Sequence, residues 1–314
     1  MIKRLKKELR LLKELSTSDE KIFVCPLDTT AVAPTEYLAM LIGPEGTPYE
    51  GGFFYFHLIL PDSFPMEPPK VKYLTQGNNV RFNPNLYVNG KVCLSVIGTW
   101  AGPGWSPANT IVSVLQIIQG MVLNENPLTN EPGFETAPKY KLNNYNEIIR
   151  FETYRTALLG QIDLVPFDLS PEVFNYFTGI TRQYFITNIN KYCDKIVSLS
   201  KIHDGKTYKI TYQTQSVKPD YYSLISTATK LKDQIKSTYP KLDYSHIKPV
   251  DYKIFSLKPF IPPSIKKKPN LSHKNKLVML QYTAQQLGIE IKKPGAKGPV
   301  NKTKAELLSE IIEI

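Results

Sequence analysis

Cysteine is scarce in this chain of 314 residues, which has only Cys25, Cys93 and Cys193. An odd number of widely separated cysteines does not build a disulfide framework, and no pair of them has the spacing of metal ligands. Histidine is nearly as scarce, and none occurs between His57 and His203. Cys93 therefore lacks both the neighbours of a zinc site and the histidine base of a papain-like protease. We expect a reducing compartment, cytoplasmic or nuclear, and neither a metal nor a cofactor.

Long apolar runs are also missing, and none approaches the 18 residues that a membrane span needs. The charged N-terminus is not typical of a secretory signal. Lysine and arginine (39) outnumber aspartate and glutamate (28), which gives a net charge of +11. This balance favours an acidic partner, either nucleic acid, an anionic surface or an acidic protein, without choosing among them. The frequent Lys, Asn, Ile and Tyr residues are typical of an AT-rich genome, so we expect a parasite or a large DNA virus as the source.

The first part of the chain predicts an α+β domain. Residues 2–15 have the pattern of an amphipathic helix, whose apolar stripe contains Ile2, Leu5, Leu9 and Leu12. Four short β-type runs follow between turn signals: KIFVCPL, YLAMLIG, FFYFHLIL and KVKYLT. The third run has bulky residues on both faces, as expected of a central strand that is buried on both sides. We therefore predict a meander of about four strands packed by the first helix.

The chain then becomes irregular from Gln76 to about Gly104, which is long for a loop and typical of a functional one. A helix follows, for which Ser106 suits the N-cap and Pro107 the first helical position. More helical patterns come later, at about 138–160, 171–199 and 221–238, with an alternating segment at 206–215 between the last two. Beyond them, proline and lysine are frequent enough to predict an extended linker, and two further helices end the chain.

Cys93 lies beside turn-rich segments, which leaves three interpretations: an inert core residue, a metal ligand or a nucleophile. Cys25 in a strand and Cys193 in a helical pattern are expected to be inert. For Cys93, the absence of a nearby histidine favours transthiolation, which needs only a thiolate, a thioester and a group that holds the oxyanion. Aminolysis of the new thioester by a lysine needs the same oxyanion stabilised. The side-chain amide of Asn85 could stabilise the oxyanion, or it could shape the loop by hydrogen-bonding to backbone groups of the loop.

Several motifs, in one order, resemble the ubiquitin-conjugating enzyme family from about Lys3 to Tyr145. They are GPEGTPYEGGFFYFHLILPDSFPMEPPKV with its PxxPP turn, FNPN ahead of NGKVCLSV, and WSPA at the next helix. The GTWAGPGWSP loop, the ENPLTNEPGFE segment and the extension after Tyr145 resemble the long subgroup typified by ubiquitin-conjugating enzyme Z. The resemblance implies the UBC fold: an N-terminal helix, a four-stranded antiparallel meander, an active-site loop and further helices, with a mainly helical C-terminal extension.

The resemblance also implies a role for each matching residue. Cys93 would accept ubiquitin, or a ubiquitin-like modifier, as a thioester from an activating enzyme and transfer it to a substrate lysine. Asn85 would stabilise the oxyanion and order the loop. The basic first helix would contact the activating enzyme through Lys3, Arg4, Lys6 and Lys7. The loops that contact RING-type ligases match at Met66, Ser106, Pro107 and Ala108.

Two positions depart from the family pattern. Asn83 stands where the family has a histidine thought to be structural, and an asparagine can also bond backbone groups. Thr129 stands where many members carry an aspartate that steers the incoming lysine and eases its deprotonation. Because a hydroxyl brings no charge, we expect Thr129 to be a weaker substitute at this catalytic position.

The predicted domains are a conjugating core at 1–150, a helical extension at 151–248, the linker at 249–270 and a small helical module at 271–314. The extension either packs on the core or selects the modifier or activating enzyme. The final module faintly resembles a SAP module, through Leu277, Leu280, Leu287, Gly288, Ile289 and KTKAELLSEI. That resemblance implies nucleic-acid binding, with lysines on the phosphates; a helical pair for protein docking is the alternative. The alternative for the whole chain is a non-catalytic modifier-binding scaffold tethered to nucleic acid, against which Cys93 argues.

Overall fold

The structure is a computed structural model. It describes residues 2–16, 18, 21–77, 80–209, 216–239, 292–293 and 300–301. The chain divides into two compact units, Met1–Pro259 and Phe260–Ile314.

The first unit begins with the predicted helix and meander. Helix α1 covers Ile2–Ser16, and four strands follow at Ile22–Pro26 (β1), Glu36–Ile42 (β2), Phe53–Ile59 (β3) and Lys70–Tyr73 (β4). The strands form one antiparallel sheet in the order β1-β2-β3-β4. The fold class predicted from the sequence is confirmed.

Strands β1, β2 and β3 are almost wholly buried on both faces, as the pattern of the third strand predicts, whereas only Tyr73 of β4 is buried. One set of alternating side chains packs with α1 and with the loop that follows β4: Ile22, Val24, Ala39, Leu41, Phe54, Phe56 and Leu58. The opposite set packs with the C-terminal helices: Phe23, Cys25, Leu38, Met40, Ile42, Phe53 and Tyr55. Because neighbouring residues of a strand point to opposite faces, a sheet covered on both sides needs apolar residues at every position.

The helix after the loop that follows β4 begins later than the sequence predicts. Helix α2 covers Ile111–Ile117, and its N-cap is Thr110, which forms a capping box with Ser113. Ser106 instead closes a turn, in which its hydroxyl accepts the N–H of Ala108 at 3.3 Å. The prediction of Ser106 as N-cap is wrong because both sites offer a hydroxyl before an apolar run, and only Thr110 has a residue three positions on that reciprocates.

The C-terminal helices follow the predicted patterns closely. Helix α3 covers Lys139–Glu152, helix α4 covers Pro171–His203 and helix α5 covers Tyr221–Thr238. Between α4 and α5, Tyr208–Lys209 (β5) pairs with Ser216–Val217 (β6) as a small antiparallel ladder. We call residues 151–209 and 216–239 the annex. None of the helices in the part of the chain described is long and apolar enough to cross a membrane.

The annex also holds the turn between β2 and β3. Lys191 pairs with Glu45 and Glu50, and Lys195 pairs with Glu50 at 2.7 Å. Gly51 has φ 80°, and a Cβ there would overlap the hydroxyl of Tyr192. A glycine is therefore required at this position both by its backbone conformation and by the approach of α4.

In the second unit, Lys292–Lys293 (β7) pairs with Val300–Asn301 (β8). The predicted linker at 249–270 and the two helices of the SAP-like module lie outside the described residues.

Candidate active site around Cys93

Cys93 and Asn85 lie together in the loop that follows β4. The two residues are joined twice: the Cys93 N–H donates to the Asn85 carbonyl at 2.9 Å, and the Asn85 side-chain amide donates to the Cys93 carbonyl at 2.7 Å. A bridge between Leu86 and Val92, both fully buried, fixes the loop to the core just before Cys93. Cys93 itself is only 1% exposed. The structure thus brings together the two residues that the sequence selects.

The Asn85 amide retains a donor. One of its N–H groups is used on the Cys93 carbonyl, and the other has no partner among the residues described. The backbone N–H groups of Cys93 and of the next residue are both taken, because that of Cys93 donates to the Asn85 carbonyl and that of Leu94 donates to the Thr99 hydroxyl at 2.9 Å. Of these three donors, only the second amide N–H of Asn85 is available to a further acceptor.

Asn83 is fully buried, and its side chain uses its whole bonding capacity. Its amide nitrogen donates to the Tyr49 hydroxyl at 3.0 Å and to the Val122 carbonyl at 2.7 Å. Its oxygen accepts the N–H of Asn85 at 2.7 Å and the amide of Asn130 at 3.4 Å. Asn83 therefore orders the loop and sets the backbone of Asn85.

Thr129 lies in the short helix Pro127–Asn130 and is half-buried. Its hydroxyl donates to the Asn126 carbonyl at 2.7 Å, within its own turn. This turn joins the network of the site through the next residue, Asn130, which donates to Asn83. The structure links the Thr129 turn to the loop, but it does not bond the Thr129 side chain to Cys93 or Asn85.

Thr99 belongs to the site and was not selected from the sequence. Its hydroxyl accepts from the Leu94 N–H at 2.9 Å and donates to the Val92 carbonyl at 2.7 Å. The sequence gives only a weak signal, which is a hydroxyl residue six positions after Cys93 in a loop rich in glycine.

The other two cysteines lie in surroundings that disfavour the thiolate form. Cys25 is fully buried in β1, and burial raises the pKa of its thiol to about 12. Cys193 in α4 is half-buried, and burial also raises the pKa of its thiol, although Lys232 opposes the effect. A raised pKa leaves little thiolate at neutral pH. No group of three or more metal-ligating side chains occurs among the described residues.

The predicted contact surface for an activating enzyme divides into two parts. Lys3, Lys6 and Lys7 are exposed on α1. Arg4 is different, because its guanidinium bonds Glu8 and the carbonyls of Pro107 and Asn109.

The residues predicted to contact a ligase are exposed in two neighbouring loops. Met66 is 73% exposed, and Ser106, Pro107 and Ala108 are exposed as well. The Trp105 indole N–H donates to the Pro65 carbonyl at 2.7 Å and so joins the two loops.

Comparisons with known proteins match the part of the chain that contains Cys93. Residues 4–150 match the family model described as ubiquitin-conjugating enzyme. The human protein named ubiquitin-conjugating enzyme E2 Z is 54% identical over 218 residues, which cover 68% of this chain and 58% of that protein. A Caenorhabditis elegans protein named probable ubiquitin-conjugating enzyme protein 17 is 35% identical over 206 residues, which cover 60% of this chain and 28% of that protein.

Among solved structures, the E2 domain of a Toxoplasma gondii ubiquitin-conjugating enzyme is 29% identical with a TM-score of 0.38, covering 49% of this chain and 97% of that one. The chain thus spans less than two thirds of the curated relatives named above. The similarity to the human protein extends beyond the matched domain, since 218 aligned residues exceed the segment 4–150. Residues 4–150 thus carry the ubiquitin-conjugating enzyme domain, and the similarity to the enzyme Z proteins continues beyond it.

Proposed function

We propose that this chain carries ubiquitin, or a ubiquitin-like modifier, as a thioester on Cys93 and transfers it to a lysine of a substrate. In the first step, the Cys93 thiolate attacks the thioester carbonyl of the modifier held by an activating enzyme. The tetrahedral intermediate then collapses, a new carbon–sulfur bond remains at Cys93, and the thiolate of the activating enzyme leaves. In the second step, a lysine amine attacks the Cys93 thioester and loses a proton, an amide forms, and the Cys93 thiolate is released.

One observation carries this proposal. The Asn85 side-chain amide is bonded to the Cys93 carbonyl through one N–H, and its second N–H is available to another acceptor. A preorganised donor stabilises charge that develops on the carbonyl oxygen in both steps, and loss of such a donor typically costs about 2.7–4 kcal/mol of barrier. The four hydrogen bonds of Asn83 support this role, because they hold the Asn85 backbone in place before the reaction begins.

The partners follow from the proposed reaction. The exposed lysines of α1, which are Lys3, Lys6 and Lys7, would contact an acidic surface of the activating enzyme. The joined loops that carry Met66 and Ser106–Ala108 would contact a RING-type ligase. A reducing compartment, cytoplasmic or nuclear, belongs to the proposal because the thiol must stay free. Nucleic-acid binding by residues 271–314 stays a prediction from the sequence.

A charging assay tests the proposal. The full chain is mixed with a ubiquitin-activating enzyme, ATP and ubiquitin, and the gel is run with and without reductant. We expect a product heavier by one ubiquitin that reductant removes, that is lost in Cys93→Ala and that persists in Cys193→Ala. A wild-type chain that charges with neither ubiquitin nor ubiquitin-like modifiers from their own activating enzymes would contradict the proposal.

A further inference from the structure

The two peptide groups that flank Cys93 contain four polar backbone groups, two N–H groups and two carbonyls, and all four are hydrogen-bonded. Asn85 takes two of them, the N–H and the carbonyl of Cys93 itself. Thr99 takes the other two, because its hydroxyl lies between the carbonyl of Val92 at 2.7 Å and the N–H of Leu94 at 2.9 Å. Each peptide group beside Cys93 is therefore held by one bond to Asn85 and by one bond to the Thr99 hydroxyl.

The chemistry of that hydroxyl suits a bridge. A hydroxyl has one proton to donate and two lone pairs to accept, so a single threonine can satisfy a carbonyl and an N–H at the same time. The Thr99 backbone adds a further bond, in which its N–H donates to the Leu94 carbonyl at 3.1 Å. Gly98 makes the arrangement possible, because its φ of 71° turns the chain back toward Cys93, a conformation that glycine adopts readily.

We propose that Thr99 is a positioning residue for the Cys93 thiol. The proposal rests on the proposed function and adds a residue that the sequence motifs do not select. The Thr99 bridge fixes the peptide planes on either side of Cys93, and thereby the direction of its side chain toward the Asn85 amide. The bridge also occupies the Leu94 N–H. That N–H therefore does not compete with the Asn85 amide for the carbonyl oxygen of the modifier.

The bridge also helps to shield the Cys93 thiol from solvent. Cys93 is 1% exposed although the chain that follows Thr99, from Trp100 to Gly104, is exposed. This segment is held at both ends, by the Thr99 hydroxyl and by the bond from the Trp105 indole to the Pro65 carbonyl. Loss of the bridge should release one end of it and expose the thiol.

Two substitutions separate the hydroxyl from the shape of the side chain. Thr99→Val keeps the branched shape and removes the bridge, whereas Thr99→Ser keeps the bridge. Thr227→Val is the matched control, because Thr227 is also an exposed residue whose hydroxyl bonds a backbone carbonyl, at 2.9 Å, but it lies on α5 and outside the Cys93 loop.

Charging by a saturating activating enzyme is the first readout. We expect Thr99→Val to charge roughly tenfold more slowly with an unchanged KM for the activating enzyme, because the Val92 carbonyl and the Leu94 N–H both lose their partner and the combined loss is worth about that factor. Thr99→Ser should stay within about threefold of the wild type, because its hydroxyl retains the bridge. Equal charging rates in Thr99→Val and Thr227→Val would overturn the proposal, and so would equal losses in Thr99→Val and Thr99→Ser.

Alkylation by iodoacetamide, followed by mass spectrometry of each cysteine peptide, is the second readout and does not depend on charging. We expect faster alkylation of Cys93 in Thr99→Val, while Cys25 stays unmodified in the same sample and so reports that the fold is intact. Unchanged alkylation of Cys93 in Thr99→Val would contradict the proposal even with a wild type that does not charge. A wild type that fails to charge, with Cys93 alkylated faster in Thr99→Val, would overturn the proposed function alone.

Discussion

At the scale of single residues, Asn83 shows how an asparagine in place of the family's histidine can still hold the Cys93 loop in a defined conformation. A histidine ring has two nitrogens, and the Asn83 amide has two donor protons and two acceptor lone pairs. The structure uses all four, on Tyr49, Val122, Asn85 and Asn130. The sequence predicted that asparagine could bond backbone groups here, but the side-chain partners come from 34 and 47 positions away and no local pattern reveals them.

Replacing Asn83 with the family's histidine should therefore harm this chain. Asn83→His leaves at least one buried polar partner unsatisfied, which costs about 1–3 kcal/mol. Urea unfolding should show the loss, and the charging rate should fall because the Asn85 backbone is no longer held. A variant as stable as the wild type that also charges as fast would show that the four bonds are not needed.

Thr129 makes a second prediction at this scale. Thr129→Asp should speed discharge of charged Cys93 to free lysine by roughly threefold or more, because a carboxylate helps to deprotonate the incoming amine. Thr129→Asn is the control, since it is similar in size and uncharged. Discharge rates that do not rise, or that rise equally in both variants, would refute the interpretation.

At the scale of elements, α1 does more than present a basic surface. The Arg4 guanidinium bonds the carbonyls of Pro107 and Asn109 and lies 5.3 Å from the centre of the Phe64 ring. The Glu8 carboxylate, fully buried, pairs with Arg4 at 2.8 Å and accepts the Ile111 N–H at 2.9 Å. The helix thus caps α2 and holds the loop that precedes it. Helical periodicity predicts where α1 runs, but it cannot show that Arg4 faces a loop 103 positions away.

Arg4 and Lys6 should accordingly behave differently. Arg4→Met leaves the buried Glu8 carboxylate without its cation, and we expect a loss of about 3–5 kcal/mol in the free energy of unfolding. Lys6→Met removes an exposed charge, so its stability should stay near that of the wild type while its KM for the activating enzyme rises. Urea titrations of both variants test this. Identical unfolding midpoints for the two would contradict a structural role for Arg4.

At the scale of the whole molecule, the annex makes the sheet a two-sided core. The sequence predicted the bounds of α5 and the start of α4, because their apolar patterns are local features, although α4 continues to His203 instead of ending at 199. It did not show which face of the sheet they cover, since both faces are equally apolar. The close approach of Tyr192 to Gly51 decides that geometry, and it depends on contacts between distant segments.

A buried polar cluster joins the annex to α3. The His203 ring contacts the Tyr208 hydroxyl at 2.6 Å and lies 3.4 Å from Glu147, which also pairs with Arg150. The Glu147 carboxylate in turn accepts from the Tyr221 hydroxyl at 2.5 Å. Burial lowers the pKa of His203, Glu147 opposes the shift, and Lys206, Arg150 and Asp204 adjust it.

This cluster should make the annex sensitive to acid. The pKa of His203 is lower in the fold than its ordinary value of 6.5, so the unfolded chain binds more protons as the pH falls. The stability that His203 contributes is therefore present above pH 6.5 and is lost as the pH falls through the folded pKa. His203→Gln, which does not titrate, should show a flatter stability between pH 7.5 and 5.5 in urea titrations. Equal slopes in both proteins would contradict the assignment.

The central claim is that the modifier is bonded to Cys93, and Cys93→Ser tests it most directly. A serine at this position would form an oxygen ester with ubiquitin, which reductant does not cleave, in place of the thioester. We predict that Cys93→Ser gives a product heavier by one ubiquitin that survives reductant and is removed by mild alkali. A product of Cys93→Ser that reductant still removes would place the thioester on another cysteine and contradict the account.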